Sequence, residues 1–170
     1  MDAFICSIGT GGTIAGVSEY LRERKPGVVI GIADPHGAAM YNLFSRGEAK
    51  ATPGDSVTEG IGLGRITPII EDIRVDKSYL VPDEEALAIV FELVEYEGLC
   101  VGGSTGINVA GAIRLARDLG PGRTIVTILA DYGTRYQSKL FNPGFLRSRK
   151  LPVPEWLERK VELPDVLQKV

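Results

Sequence analysis

The 170-residue chain has a single histidine, His36. A metal centre built on several histidines would therefore need a second polypeptide. A Ser-His-Asp hydrolase could use only this residue, and it sits in a Pro35-His36-Gly37 turn, where a solvated turn histidine is the plain expectation. Cysteine is almost as scarce. Cys6 and Cys100 are far apart and form no CxxC pair, which excludes a disulfide framework and a zinc ribbon. Two reduced, buried thiols in a cytoplasmic protein are expected. No apolar run approaches the roughly 20 residues of a membrane span. The opening Met1-Asp2-Ala3-Phe4 lacks the basic stretch of a secretory signal. Basic charge is in short supply too. The net charge is −3, which argues against nucleic acid or an acidic membrane as a partner.

Glycine is plentiful, at 21 residues, and it clusters. Ala3 to Ile8 reads as a strand that ends in Gly9-Thr10-Gly11-Gly12-Thr13. A helix follows from about Gly12 to Lys25, with Ile14, Val17 and Leu21 on one face. Val28 to Ala33 is a second strand, which completes a parallel βαβ unit. Residues 34–80 are less regular, with a short helix expected over Ala38–Ser45 and an exposed loop over Arg46–Ser56. Asp83 is expected to cap a helix that Gly98 closes. Leu99–Val101 reads as a short strand, and Gly102–Gly106 leads into a helix to Leu119 with Ile107, Ala110, Ile113 and Ala116 inward. Thr124–Ala130 reads as a strand buried on both faces. A last helix is expected from Gly133 to Phe141, followed by a proline-rich tail over 143–170. The fold class is α/β: an open, mostly parallel sheet with helices on both faces.

Three loops, 9–13, 102–106 and 131–133, stand at strand ends. Ligands of open parallel sheets bind beyond the carboxyl ends of the strands. Gly9–Thr13 joins a strand to a helix start, where free N–H groups and the helix dipole favour an anion. Its spacing fits no nucleotide signature. A dinucleotide fingerprint would need glycine at Ile14, and a P-loop would need lysine at Val17. The loop reads as a phosphate cup or as a bare tight turn. Ser104 either caps its helix or bonds a ring nitrogen of a ligand. Asp131 either caps the last helix or adds polarity near the ligand. Glu59 and the Gly60-Ile61-Gly62 loop line a substrate entrance or form a mobile turn.

Gly9-Thr10-Gly11-Gly12-Thr13, Glu59-Gly60-Ile61-Gly62, Gly102-Gly103-Ser104-Thr105-Gly106 and Tyr132-Gly133-Thr134-Arg135-Tyr136 stand here in one order. In this the chain resembles the cysteine synthase / cystathionine β-synthase family of fold-type II pyridoxal-phosphate enzymes, from Asp2 to about Leu157. The resemblance implies that Gly9, Thr10, Gly11, Gly12 and Thr13 hold the phosphate of pyridoxal 5′-phosphate. It implies that Ser104 bonds the pyridine nitrogen, and that Gly60, Ile61 and Gly62 line the substrate cleft. A neutral serine does not hold that nitrogen protonated as a carboxylate does, which suits β-replacement. The implied reaction makes L-cysteine from O-acetyl-L-serine and sulfide, with a cystathionine β-synthase-like or other β-replacing lyase as the alternative. A non-catalytic protein binding phosphate ligands or a partner is the alternative of another class.

The family's Schiff-base lysine lies upstream of the phosphate loop, where this chain has only eight residues. None of Lys25, Lys50, Lys77, Lys139, Lys150, Lys160 and Lys169 matches its position. The chain therefore reads as the C-terminal part of such an enzyme. Residues 1–142 would be the cofactor-binding domain, and the N-terminal small domain would be missing. No catalytic residue and no metal site are assigned within it. The family resemblance implies a homodimer for the full-length enzyme and an amino-acid substrate.

Overall fold

A computed structural model describes residues 1–160. Four parallel strands form one sheet in the order β3-β2-β1-β4. They are β1 (Ala3–Cys6), β2 (Val29–Pro35), β3 (Lys77–Val81) and β4 (Ile125–Val126). The helices are α1 (Gly12–Arg24), α2 (Met40–Arg46), α3 (Pro68–Glu71), α4 (Asp83–Glu97), α5 (Gly103–Leu119) and α6 (Pro143–Ser148). Two 3₁₀ turns cover Gly133–Tyr136 and Glu155–Glu158.

Side-chain alternation explains why β1 and β2 are continuously apolar. Phe4, Cys6, Ile30 and Ile32 point to one face and pack with Ile14 of α1, Met40 of α2 and Ile70 of α3. Ala3, Ile5 and Ala33 point to the other and pack with Ala86 of α4 and Ile107, Ala110 and Leu115 of α5. A sheet covered on both faces needs no polar side. α5 comes very close to the sheet at Gly111, where a Cβ would stand 2.6 Å from Ala33 Cβ. α4 meets α5 just as closely, because a Cβ on Gly106 would fall 2.1 Å from the Ala86 carbonyl oxygen. A third apolar cluster joins Leu87, Val90 and Phe91 of α4 to Tyr136, Leu140, Leu146 and Leu151. Residues 143–157 thus pack against the body, while 161–170 lie outside the described residues. Where β2 ends, Asp34 is fully buried and accepts from the Tyr41 N–H at 2.8 Å, at the start of α2. Burial pushes its carboxyl up to about 6.

Several elements differ from the sequence expectation. Lys77–Val81 is a strand, paired along β2 from Gly31↔Lys77 to Pro35↔Val81. It was missed because its one buried side chain, Val81, gives no apolar run. Leu99–Val101 is not a strand, and only Val101 bridges, antiparallel, to Tyr132. Thr124–Ala130 reduces to the two residues of β4, with Val126 and Leu129 exposed at 38% and 47%. Among the described residues β4 pairs with β1 alone, and the exposed Val126 shows that it is not buried on both faces. The helix expected after Gly133 is a single 3₁₀ turn. Gly133 is pinned by its N–H to the Cys100 carbonyl, and Phe141 N–H turns back to Tyr136 O.

Asp83 is not a cap. Pro82 holds that position, and the Asp83 carboxylate accepts from Val57 N–H at 2.7 Å and Ser56 Oγ at 2.6 Å. Along α5, Ile113 and Ala116 face outward, because Asn108, Gly111 and Leu115 turn inward instead. Cys6 is buried as expected, but Cys100 is exposed. No helix among the described residues is long and apolar enough to cross a membrane.

Candidate functional site

The carboxyl ends of β1 and β4 open into a cavity of about 280 Å³. This lies near the lower bound of roughly 300–1,000 Å³ for small-molecule sites. Gly9, Thr10, Gly11 and Thr13 form one wall, Gly60 and Ile61 the rim, and Ser104 and Asn108 of α5 the opposite wall. Cys6, Ser7, Ile14, Ile128 and Ala130 complete it. Seven of the nine residues singled out from the sequence therefore line one space. Gly12 and Gly62 do not: Gly12 is exposed as the first residue of α1, and Gly62 lies behind the rim.

Glycine is required in this wall by geometry. Gly11, the N-cap of α1, has φ +95°, and a Cβ there would stand 2.3 Å from Ile70 Cγ2. A Cβ on Gly9 would stand 2.5 Å from the Gly60 carbonyl oxygen. The rim loop is tied to the strand end by the Gly62 N–H, which donates to Ile8 O at 3.1 Å. α1 has no side-chain cap, so its first-turn N–H groups are left for another acceptor at the mouth of the cavity. Among the described residues no charged side chain, and so no lysine, lines the space. Burial pushes the Cys6 thiol up to about 12, which keeps it neutral. Such a wall, made of backbone donors, hydroxyls and a helix dipole, suits an anionic group.

Ser104 does not cap α5, because Gly102 is the N-cap and no side chain bonds there. Its hydroxyl donates to Asp131 Oδ1 at 3.2 Å. Asp131 likewise caps nothing. Its other carboxylate oxygen, Oδ2, accepts from the Tyr136 hydroxyl. Glu59 turns outward into an ion pair with Lys139 and does not line the cavity.

Asn108 was missed from the sequence. It is 2% exposed, accepts from Ser7 N–H at 2.6 Å and donates to Ile128 O at 2.8 Å. It clasps the end of β1 to the segment after β4 and sets the width of the cavity. The available signal was an asparagine inside a helix, where it is a poor helix former.

A larger hollow, of about 440 Å³, is lined by His36, Asp55, Asp83 and Arg149 among others. Within it Arg149 pairs with Asp55, and the Asp83 carboxylate accepts from Val57 N–H and Ser56 Oγ. His36 is a turn residue with Nδ1 3.2 Å from Pro53 O. No group of three or more potential metal ligands occurs among the described residues.

With a βα phosphate-type loop and a polar wall facing one cavity, the molecule has the layout of a cofactor-binding α/β domain. The chain belongs to the pyridoxal-phosphate dependent enzyme family, whose sequence profile matches residues 1–131. Within it, cysteine synthase 2 of Schizosaccharomyces pombe is 42% identical over 167 residues, covering 91% of this chain and 42% of that protein. Cysteine synthase 1 of Emericella nidulans is 41% identical, covering 96% of this chain and 46% of that protein. The crystal structure of the O-acetylserine dependent cystathionine β-synthase from Helicobacter pylori superposes with TM-score 0.73 at 33% identity, over 82% of this chain and 43% of that one. The fold is that of fold-type II pyridoxal-phosphate enzymes. The chain spans under half the length of these relatives.

Proposed function

We propose that residues 1–142 form the cofactor-binding domain of a cysteine synthase, which makes L-cysteine from O-acetyl-L-serine and sulfide. The observation that carries this is one cavity lined by both Gly9–Thr13 and Ser104. The residues fit the cofactor. A cradle that any Cβ at Gly9 or Gly11 would fill, together with uncapped helix N–H groups, suits its phosphate. A hydroxyl on the opposite wall suits its ring nitrogen.

In this reading Gly9, Thr10, Gly11, Gly12 and Thr13 bind and orient the phosphate through backbone N–H groups and hydroxyls. Ser104 orients the ring. Gly60, Ile61 and Gly62 close one side of the substrate cleft, and Ile61 excludes water there. Asn108 keeps the two walls at fixed separation. When bound, the cofactor supplies the electron sink for loss of a leaving group from the substrate Cβ. No lysine among the described residues lines the cavity, so no covalent anchor or proton carrier is assigned here. Two unpaired cysteines favour a cytoplasmic setting. The full-length enzyme is expected to be a homodimer acting on a small amino acid, not on nucleic acid. The Helicobacter pylori likeness favours a second reading, a cystathionine β-synthase-like lyase on the same cofactor.

The test is a titration with pyridoxal 5′-phosphate competed by inorganic phosphate. Saturable binding that phosphate displaces, and that Gly11→Asp abolishes, supports the proposal. Equal binding by Gly11→Asp refutes the phosphate loop. The chain alone should make no cysteine above a cofactor-only control.

A further inference from the structure

The hollow of about 440 Å³ is separate from the cavity between the strand ends, since no residue lines both. Its walls are fixed. Thr52 clasps the turn after β2: its Oγ1 accepts from Gly37 N–H at 3.0 Å, and its own N–H donates to Ala38 O at 2.8 Å. A Cβ on Gly37 would stand 2.8 Å from Gly54 O, so turn and loop touch. His36 Nδ1 gives its hydrogen to Pro53 O, because a carbonyl only accepts. Asp83 joins the start of α4 to Ser56 and Val57, and the Arg149–Asp55 ion pair joins the end of α6 to the loop before them. Lys150 follows α6 at φ +57°, the one non-glycine residue with positive φ among the described residues. Its N–H donates to Arg147 O at 3.0 Å, and Leu151 N–H returns to Leu146 O at 2.9 Å. Glycine is the usual residue at such a helix end. Lysine there accepts backbone strain and stands on the wall of the hollow.

Two charges in the hollow are left over. Arg149 rather than Lys150 holds Asp55, and Glu85 rather than Glu84 holds Arg114. Among the described residues, Lys150 and Glu84 therefore face the hollow without an ion pair. A lone anion entering here meets Asp55, Asp83 and Glu84, and a lone cation meets Arg149 and Lys150. A ligand carrying both charges is repelled by neither set. We propose that the hollow is a second small-molecule site, selective for a free α-amino acid in its zwitterionic form, with Lys150 taking the carboxylate and Glu84 the ammonium. Its volume lies within the roughly 300–1,000 Å³ of such sites. Pro82 and Leu151 supply apolar surface for a small side chain. The site borrows nothing from the cofactor reading, but it adjoins the cavity. A recess of about 230 Å³ shares His36, Gly54 and Asp55 with the hollow and Ile61 with the cavity.

The probe is L-serine, titrated into the 15N-labelled 170-residue chain, with amide resonances reporting where it binds. Saturable shifts are expected at His36, Asp55, Glu84 and Lys150. 3-Hydroxypropanoate lacks the ammonium and ethanolamine lacks the carboxylate. Each should bind about fivefold more weakly, the upper range for one exposed ion pair. Glu84→Gln and Lys150→Gly should each weaken L-serine by a similar factor, and the glycine keeps the left-handed helix end. Glu84→Gln should not weaken 3-hydroxypropanoate, which has no ammonium for it to hold. Ser104→Ala, in the cavity, should bind L-serine as the parent does. Equal affinity for L-serine and either singly charged analogue overturns the proposal, as does L-serine binding unchanged in both hollow variants. Shifts confined to Ile61 and Ser104 place L-serine in the cavity, which agrees with the proposed function and overturns the second site. No saturable shift at all overturns it too.

Discussion

Gly11 and Gly12 are adjacent in the same loop, yet alanine should affect them very differently. At Gly11 two penalties coincide. The backbone has φ +95°, which costs about 1–2 kcal/mol for a residue with a Cβ. That Cβ would also stand 2.3 Å from Ile70 Cγ2, and Ile70 is fully buried in the start of α3. Overpacking of this kind typically costs about 1–3 kcal/mol. Gly11→Ala should therefore lose about 2–5 kcal/mol, a large part of the ~5–15 kcal/mol of an ordinary domain. At Gly12 the nearest atom to a new Cβ is Thr10 Oγ1 at 3.8 Å, an ordinary contact, and the residue is already helical. Gly12→Ala should stay within about 0.5 kcal/mol of the parent or gain slightly. Urea unfolding separates the two: with a slope of about 2 kcal/mol per molar, Gly11→Ala moves the midpoint down by about 1–2.5 M. Inorganic phosphate at about 100 times its dissociation constant should add about 2.7 kcal/mol to the parent and to Gly12→Ala, and much less to Gly11→Ala. Equal midpoints for the two variants would refute the steric account of the loop.

Gly106→Ala gains about 1 kcal/mol of helix propensity but drives a Cβ to 2.1 Å from the Ala86 carbonyl oxygen, so net destabilisation is expected by thermal melting. A higher melting temperature would show that α4 and α5 are looser than described. Asp34 is pushed up to about 6 by burial, so the folded state binds its proton more tightly than the unfolded state does. Its stabilising share is present below pH ~4, where both states are protonated, and is lost as pH rises through about 6. Asp34→Asn should thus gain on the parent between about pH 4 and 7, by up to ~3 kcal/mol, in paired urea midpoints. A gap between the two that does not change with pH would refute this. Exposed Ile113, Val126 and Leu129 around the β4 edge should make the isolated chain self-associate, and a concentration-independent monomer by light scattering would count against it.

Regions with a single strong periodicity or a glycine signal were legible in the sequence. The βαβ start, the α4 stripe closed by Gly98 at φ +67°, and the Gly9–Thr13 turn all came from local rules. The meeting of the 9–13 loop and Ser104 followed from the carboxyl-end rule for parallel sheets, whereas the 131–133 loop, expected there by the same rule, does not line the cavity. Position at a sheet edge was not legible. Lys77–Val81 has one fully buried side chain and so gives no apolar run, while the apolar run Thr124–Ala130 pairs over only two residues. The Ser104–Asp131–Tyr136 hydrogen bonds also escaped, since Ser104 and Asp131 each had an adequate local explanation as a cap. Only their proximity in space shows that Asp131 accepts from Ser104 and Tyr136.

The position of β1 also affects how the polypeptide is made. β1 lies inside the sheet, and its Ile5 carbonyl oxygen accepts from a Thr127 hydroxyl 122 residues later. During translation at about 5–20 residues per second, one side of that strand waits on the order of ten seconds for its neighbour to leave the ribosome. Through that interval the nascent chain displays a bare apolar edge, and loop closure over such a span is slow. Chaperone occupancy on stalled ribosomes should therefore stay high until β4 has cleared the exit tunnel and fall sharply after it.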